Sequence, residues 1–148
     1  MKLMVGAVIA ATLVAGAAHA GDWRLVNDAN GGAEFLDISS IQTTQTGKTT
    51  VWTGMAFPRA NDGADYNVVH NEFDCVSRTH RMLSMYIYNS RGQLLRSGSI
   101  EEAAMPVIPD TNGHGMLQAV CRSGDYGERG FNNMRDAMIG YRGFLSRN

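Results

Sequence analysis

The chain has 148 residues, 44% of them hydrophobic and 18% charged, with a formal net charge of −1 at neutral pH. This length supports a single modest core, and the near balance of charge gives no general reason to expect nucleic-acid binding. Apart from the first twenty residues, no long apolar run occurs, so no stable membrane span is expected.

Residues 1–20 have the composition of an export signal. Lys2 precedes an apolar stretch over residues 3–15, and the small-residue pattern Ala18-His19-Ala20 predicts cleavage before Gly21. No cysteine lies near this point, so we expect a protein without a lipid anchor. Residues 21–148 are then predicted to form a single domain.

The middle of the chain predicts consecutive strands joined by short turns. Strands are expected at residues 22–26, 33–38 and 48–57, followed by a loop over 58–64. Between residues 66 and 75 side chains alternate, with Phe73 and Cys75 on one face and His70, Glu72 and Asp74 on the other. Residues 83–88 and 93–99 flank a turn at 89–92 and complete an antiparallel meander of about six strands.

Towards the end of the chain the spacing of apolar residues changes from the alternation typical of strands to the three- and four-residue spacing typical of helices. Thr111 is a plausible cap for a helix that contains Met116, Leu117, Val120 and Cys121, although two glycines weaken its start. A stripe of apolar residues at helical spacing predicts an amphipathic helix in the C-terminal extension, residues 123–148; its members are Phe131, Met134, Met138, Tyr141 and Leu145. This stripe either covers the sheet or pairs two copies of the protein.

Cys75 and Cys121 are the two cysteines of the chain. An oxidising compartment makes a disulfide between them the expected state. Free thiols for metal or redox chemistry are the alternative, but no CxxC motif occurs and Asp74 would raise the pKa of its neighbouring thiol. Together these features predict an α+β domain in which the sheet packs against one or two C-terminal helices, with one disulfide.

The order of several short motifs resembles the bacterial surface-adhesin protein E family over residues 22–122. These motifs are Trp23, Phe35 to Ile41, Val51-Trp52, Phe73-Asp74-Cys75, Tyr86-Ile87-Tyr88, Ile108 to Thr111 and Val120-Cys121. The resemblance implies an antiparallel sheet backed by a helix, a disulfide that joins sheet to helix, and a dimer as one option. It also implies binding of host matrix or plasma proteins. The adhesins of the family are typically lipid-anchored, which this sequence does not suggest.

Motifs for catalysis are weak. His70, Glu72 and Asp74 share one strand face, which would suit a metal or an acid–base pair, but a solvated polar face is the simpler interpretation. His80 and His114 have no partner at metal-ligand spacing, and no phosphate-binding loop or nucleophile elbow occurs. We therefore expect no catalytic residue, metal or cofactor.

A basic stretch is the best candidate for a binding surface, because no acidic residue occurs between Asp74 and Glu101. The predicted surface residues are Arg78, His80, Arg81, Tyr86, Tyr88, Arg91 and Arg96. By strand parity Arg78 and His80 share a face with both tyrosines, whereas Arg81 lies on the other. Arginine beside tyrosine favours an acidic partner, such as a protein patch or a glycan. An ordinary solvated face, balanced by the acidic N-terminal half, is the alternative.

The sequence thus predicts a non-enzymatic binding protein, exported to the periplasm or outer surface of a Gram-negative bacterium. Host adhesion, as in the family it resembles, is one function. A periplasmic accessory protein that binds another envelope component is the alternative, and a small hydrolase is the third. The partner is expected to be a protein or an acidic glycan, and a homodimer through an open sheet edge or the C-terminal stripe is one option.

Overall fold

The computed structural model describes residues 20–29, 31–122, 124 and 126–147. Residues 1–19 of the predicted leader lie outside this part of the chain. The strands are β1 (Trp23–Ala29), β2 (Gly32–Asp37), β3 (Gln42–Thr43), β4 (Thr49–Asn61), β5 (Ala64–Asp74), β6 (Thr79–Tyr88), β7 (Leu94–Ser99), β8 (Met105–Pro106) and β9 (Gly130–Phe131). The helices are α1 (Asn112–Arg122) and α2 (Met134–Leu145).

Seven strands form one antiparallel sheet in the order β7-β6-β5-β4-β2-β1-β9, with β3 and β8 paired to β4 and β6. β1 and β2 are hairpin neighbours, β4 to β7 follow one another as hairpins, and β2 pairs with β4 across the short β3. This order confirms the predicted meander and the α+β class. The loop predicted at residues 58–64 is mostly strand, because β4 and β5 close tightly at Asp62 and Gly63, both with positive φ. Pro58 is tolerated there because the ladder is irregular between Ala56 and Asn61.

Helix α1 covers one face of the sheet, which we call the α1 face. Leu36 and Val51 of the sheet pack with Leu117 and Val120 of the helix in one buried cluster. The disulfide between Cys75 and Cys121 joins the residue after β5 to the last turn of α1, with the Cα atoms 5.6 Å apart. The predicted staple of sheet to helix is confirmed.

Helix α2 covers the opposite face, which we call the α2 face. Three members of its predicted stripe pack on the sheet, whereas Leu145 is 40% exposed. The second buried cluster consists of Trp23, Ala33, Phe35, Ala56, Tyr66, Met134, Ala137, Met138 and Tyr141. Gly54 allows this approach, since a Cβ atom there would come within 2.4 Å of the Met134 sulfur. Phe131 lies in β9, which pairs with β1, rather than in the helix. The C-terminal extension therefore supplies a strand and a helix to this sheet.

Both helices begin at side-chain caps. Thr111 Oγ1 accepts a hydrogen bond from the His114 amide at 3.3 Å, as predicted for the start of α1. Asn133 caps α2 by accepting from the Asp136 amide at 2.9 Å. In the described part of the chain, neither α1 nor α2 nor any other helix has the length and apolar character that a membrane span requires.

Candidate functional site

A bulge in β6 determines which of the predicted surface residues share a face. Asn71 pairs with Met82 and His70 with Ser84, so Leu83 is the extra residue. The bulge reverses the parity of the strand between His80 and Tyr86. The prediction that His80 shares a face with Tyr86 and Tyr88 is therefore wrong, and so is the separation of Arg81 from the tyrosines.

On the α2 face, aromatic rings continue beyond the helix. Trp52 stacks on its cross-strand partner His70, with ring centroids 4.6 Å apart, and Tyr86 leans on Trp52 at 5.9 Å. Burial lowers the pKa of His70, so its neutral form is favoured. Arg81 lies on this same face, where its Nε donates to Glu72 at 2.9 Å. The side chains of this surface are half-buried, and they already contact one another through the ring contacts and the ion pair described above.

The three side chains considered for catalysis serve structural contacts. His70 stacks on Trp52, while Glu72 is held between Lys48 at 3.2 Å and Arg81. Burial raises the pKa of Glu72, but the hydrogen bonds from Arg81 and Lys48 outweigh burial and leave the pKa below its ordinary value. Asp74 accepts from the Val76 and Ser77 amides and so shapes the next turn. No cluster of His, Cys, Asp and Glu suited to a metal occurs among the described residues.

Arg78 lies away from both tyrosines, beside the disulfide. It occupies the β5–β6 turn with φ of +56°, and its guanidinium lies 3.0 Å from His114 Nε2 on helix α1. A small pocket of about 80 Å³ opens here between the two cysteines and the helix. The structure thus assigns Arg78 to the α1 side of the molecule.

The β6–β7 turn lies next to two of the remaining predicted residues, Tyr88 and Arg91. Tyr88 stacks on Tyr66 with centroids 5.1 Å apart, directly before the turn that carries exposed Arg91. Arg135 reaches this turn from α2, and its Nε donates to the Ser90 carbonyl at 2.7 Å. We call Tyr88, Arg91 and Arg135 the hairpin tip. The only sequence signal for Arg135 is its position off the apolar stripe of α2.

Arg96 lies near the hairpin tip but on the other side of the hairpin. It pairs with Ile87, whose neighbours Tyr86 and Tyr88 occupy the α2 face. Strand β7 is the edge of the sheet, and its Leu94 and Leu95 are exposed. The seven predicted residues therefore do not form one continuous face, and of them Tyr88 and Arg91 lie at the hairpin tip.

His80 lines a pocket on the α1 face that the sequence did not predict. The pocket encloses about 220 Å³ between strands β4 to β6 and the start of α1. Its lining is mostly apolar and includes Met55, Met82, Met85, Met116, Val69 and Phe73, with Glu34, Asn67, Asn71 and His80 as polar members. We call it the methionine pocket. Burial lowers the pKa of His80, although Glu102 opposes this shift.

The family model for surface-adhesin protein E matches residues 23–122 of this chain. The chain belongs to that family. The match ends with α1, so β9 and α2 lie beyond it. Family membership supports a non-enzymatic, adhesin-like protein, and the family is described as a surface adhesin. No curated protein matches the chain.

Two solved structures of protein E from Haemophilus influenzae have a similar fold. One, titled as crystal form II, is 15% identical, with a TM-score of 0.50 over 78% of this chain and 97% of that one. The other is 18% identical, with a TM-score of 0.50 over 74% of this chain and 88% of that one. At this level of identity the likeness supports the fold and leaves the binding residues to be argued from this chain.

Proposed function

We propose that this protein is a non-enzymatic binding protein of the cell envelope, and that the hairpin tip recognises an acidic protein or glycan. The observation that carries the proposal is that Arg135 of α2 binds the Ser90 carbonyl, in the turn that follows Tyr88 and carries exposed Arg91. Planar guanidinium groups pair with carboxylates and sulfates, and tyrosine supplies contact area at little entropic cost.

Charge and accessibility support the tip over the other predicted residues. Arg81 is paired with Glu72, and Arg78 contacts His114. Arg91 is exposed, and none of the ion pairs among the described residues involves it. Tyr88 is held by its stacking on Tyr66, and Arg135 by its bond to the Ser90 carbonyl, so these two side chains need little ordering on binding.

Charge reversal at the tip tests this proposal. Arg91→Glu and Arg135→Glu should each weaken binding of the purified protein to heparin or an acidic peptide by roughly 10- to 100-fold, the value of a charge-assisted hydrogen bond. Binding of the unaltered protein should also weaken with salt. Arg122→Glu is the matched control, because Arg122 is exposed beside the disulfide at the other end of β5 and β6. Equal binding by all three variants would refute the proposal.

Adhesion to host matrix or plasma proteins is the finer form of this function, supported by membership of the family. A periplasmic accessory role uses the same tip on another envelope component. Protease shaving of intact cells separates the two, since an adhesin must be cleaved from outside and a periplasmic protein must not. Light scattering on the protein tests whether a homodimer forms through the edge strand β7.

A further inference from the structure

Four methionines and one histidine line the methionine pocket. Met82 and Met85 would lie on opposite faces of a regular strand, but the bulge at Leu83 places both on the α1 face, in line with His80. Met116 faces them from helix α1, and all four residues line the same cavity. The bulge thus gathers thioether and imidazole groups that sequence spacing separates.

The hydrogen bonds around Asn71 fix the tautomer of His80. One side-chain atom of Asn71 faces the Val69 carbonyl at 3.1 Å and Thr53 Oγ1 at 2.7 Å, and it must be the amide nitrogen because a carbonyl only accepts. The amide oxygen of Asn71 therefore faces His80 Nε2 at 2.9 Å, and this ring nitrogen donates. In neutral His80 the lone pair then lies on Nδ1.

This arrangement matches the surroundings of a histidine that binds a metal. Such a histidine commonly donates its other ring N–H to an oxygen acceptor, which fixes the ring and makes the free nitrogen more basic. Asn71 is 3% exposed and makes all of these bonds within the sheet, so it is a rigid acceptor. His80 is therefore held in its orientation by Asn71 even without a bound ligand.

We propose that His80 Nδ1 and the thioethers of Met82, Met85 and Met116 form a binding site for a soft monovalent cation, Cu(I) or its analogue Ag(I). Thioether and imidazole donors select Cu(I), whereas carboxylate and carbonyl oxygens suit hard cations. Glu34 is the only carboxylate in the lining, and it already accepts a hydrogen bond from Asn27. Both cysteines are in the disulfide, so no thiolate competes for the ion.

Titration with Ag(I) in chloride-free buffer, followed by native mass spectrometry, tests the site. The unaltered protein should bind one ion, and Cu(I) under anaerobic conditions should compete for it. Met82→Leu with Met116→Leu should weaken binding at least about tenfold, comparable to the loss of a supporting group in known metal sites. These substitutions nearly conserve volume and should leave the fold intact.

Met138→Leu is the matched control, because Met138 is buried under α2 on the opposite face of the sheet. It should bind Ag(I) as the unaltered protein does. His80→Gln, with Met85→Leu as a second single variant, keeps the test decisive if the double variant does not fold. The proposal is overturned if the unaltered protein binds no Ag(I), if the pocket variants bind as tightly as the control, or if Zn(II) binds at the same residues with equal affinity.

Discussion

Asn71 shows how a single buried polar residue can organise a sheet. It lies 3% exposed at the centre of β5 and bonds to Thr53 on β4, to the Val69 carbonyl on its own strand and to His80 on β6. Because these partners satisfy both ends of its amide, its burial carries no unpaired group. The three strands are therefore tied together beside the methionine pocket.

His70 makes the stability of the protein depend on pH. Burial lowers its pKa from the ordinary 6.5, so the unfolded chain binds this proton before the folded chain does. Stability should accordingly fall as the pH decreases through about 6.5 towards the folded-state pKa. His70→Phe keeps a ring on Trp52 but cannot titrate, so it should lose less stability between pH 7.5 and pH 5.

Urea unfolding at both pH values measures this difference. The window lies above the ordinary pKa of 4.5 for a glutamate, so the shifted carboxylate of Glu72 contributes equally to both proteins. The other histidine with a lowered pKa, half-buried His80, is present in both proteins, so its contribution cancels in the comparison. An equal loss of stability in the two proteins would contradict the assignment to His70.

Side-chain faces could be predicted from sequence only where strands are regular. The alternation assigned β5 correctly, since Phe73 packs under α1 and Tyr66 under α2. It failed on β6, because a bulge adds one residue without leaving a distinctive signal in the sequence. The methionine pocket could not be predicted for the same reason, because strict alternation along β6 places Met82 and Met85 on opposite faces of the sheet.

The helices were predictable as elements because their buried residues recur at helical spacing. The spacing of apolar residues does not predict which face of the sheet each helix covers. That choice depends on the turns that connect the helices to the strands. Gly115 illustrates the limit, because it weakens α1 in isolation. In the structure a Cβ atom there would come within 2.4 Å of Asn27 Oδ1, so the glycine allows α1 to approach β1 closely.

Substitutions in α2 should show that this helix is part of the folded core. Met138 is 1% exposed, so Met138→Ala should reduce the free energy of unfolding by about 2–5 kcal/mol. Ile139, the next residue, is 48% exposed, and Ile139→Ala should change stability by about 0.5 kcal/mol or less. Denaturant unfolding measures both, and equal effects would mean that α2 does not pack as described.

At the scale of the whole molecule, one sheet is covered on both faces. The family model ends at residue 122, with α1, while the chain beyond it supplies the helix of the second face. The hairpin tip depends on this arrangement, since Arg135 comes from α2 and Arg91 from the turn between β6 and β7. Sequence patterns predict such elements one at a time, and a site shared between distant elements becomes visible only when they are assembled.

The disulfide is the covalent link between the sheet and the first of these layers. It joins residues 46 positions apart and encloses β6, β7, β8 and most of α1. In the chain-entropy model, closing such a loop stabilises the folded state by about 4 kcal/mol, a large share of the roughly 5–15 kcal/mol typical of a domain. Replacing Cys75 and Cys121 by alanine should therefore lower the free energy of urea unfolding by about this amount.

The chemistry of the cysteines provides the check on that prediction. The native protein should resist alkylation, because neither sulfur is a free thiol. Reduction before unfolding should lower the urea midpoint as the double alanine variant does, since both remove the same constraint from the unfolded chain. If reduction shifted the midpoint while the alanine variant did not, the stabilisation would come from a reagent effect and the loop-entropy account would be wrong.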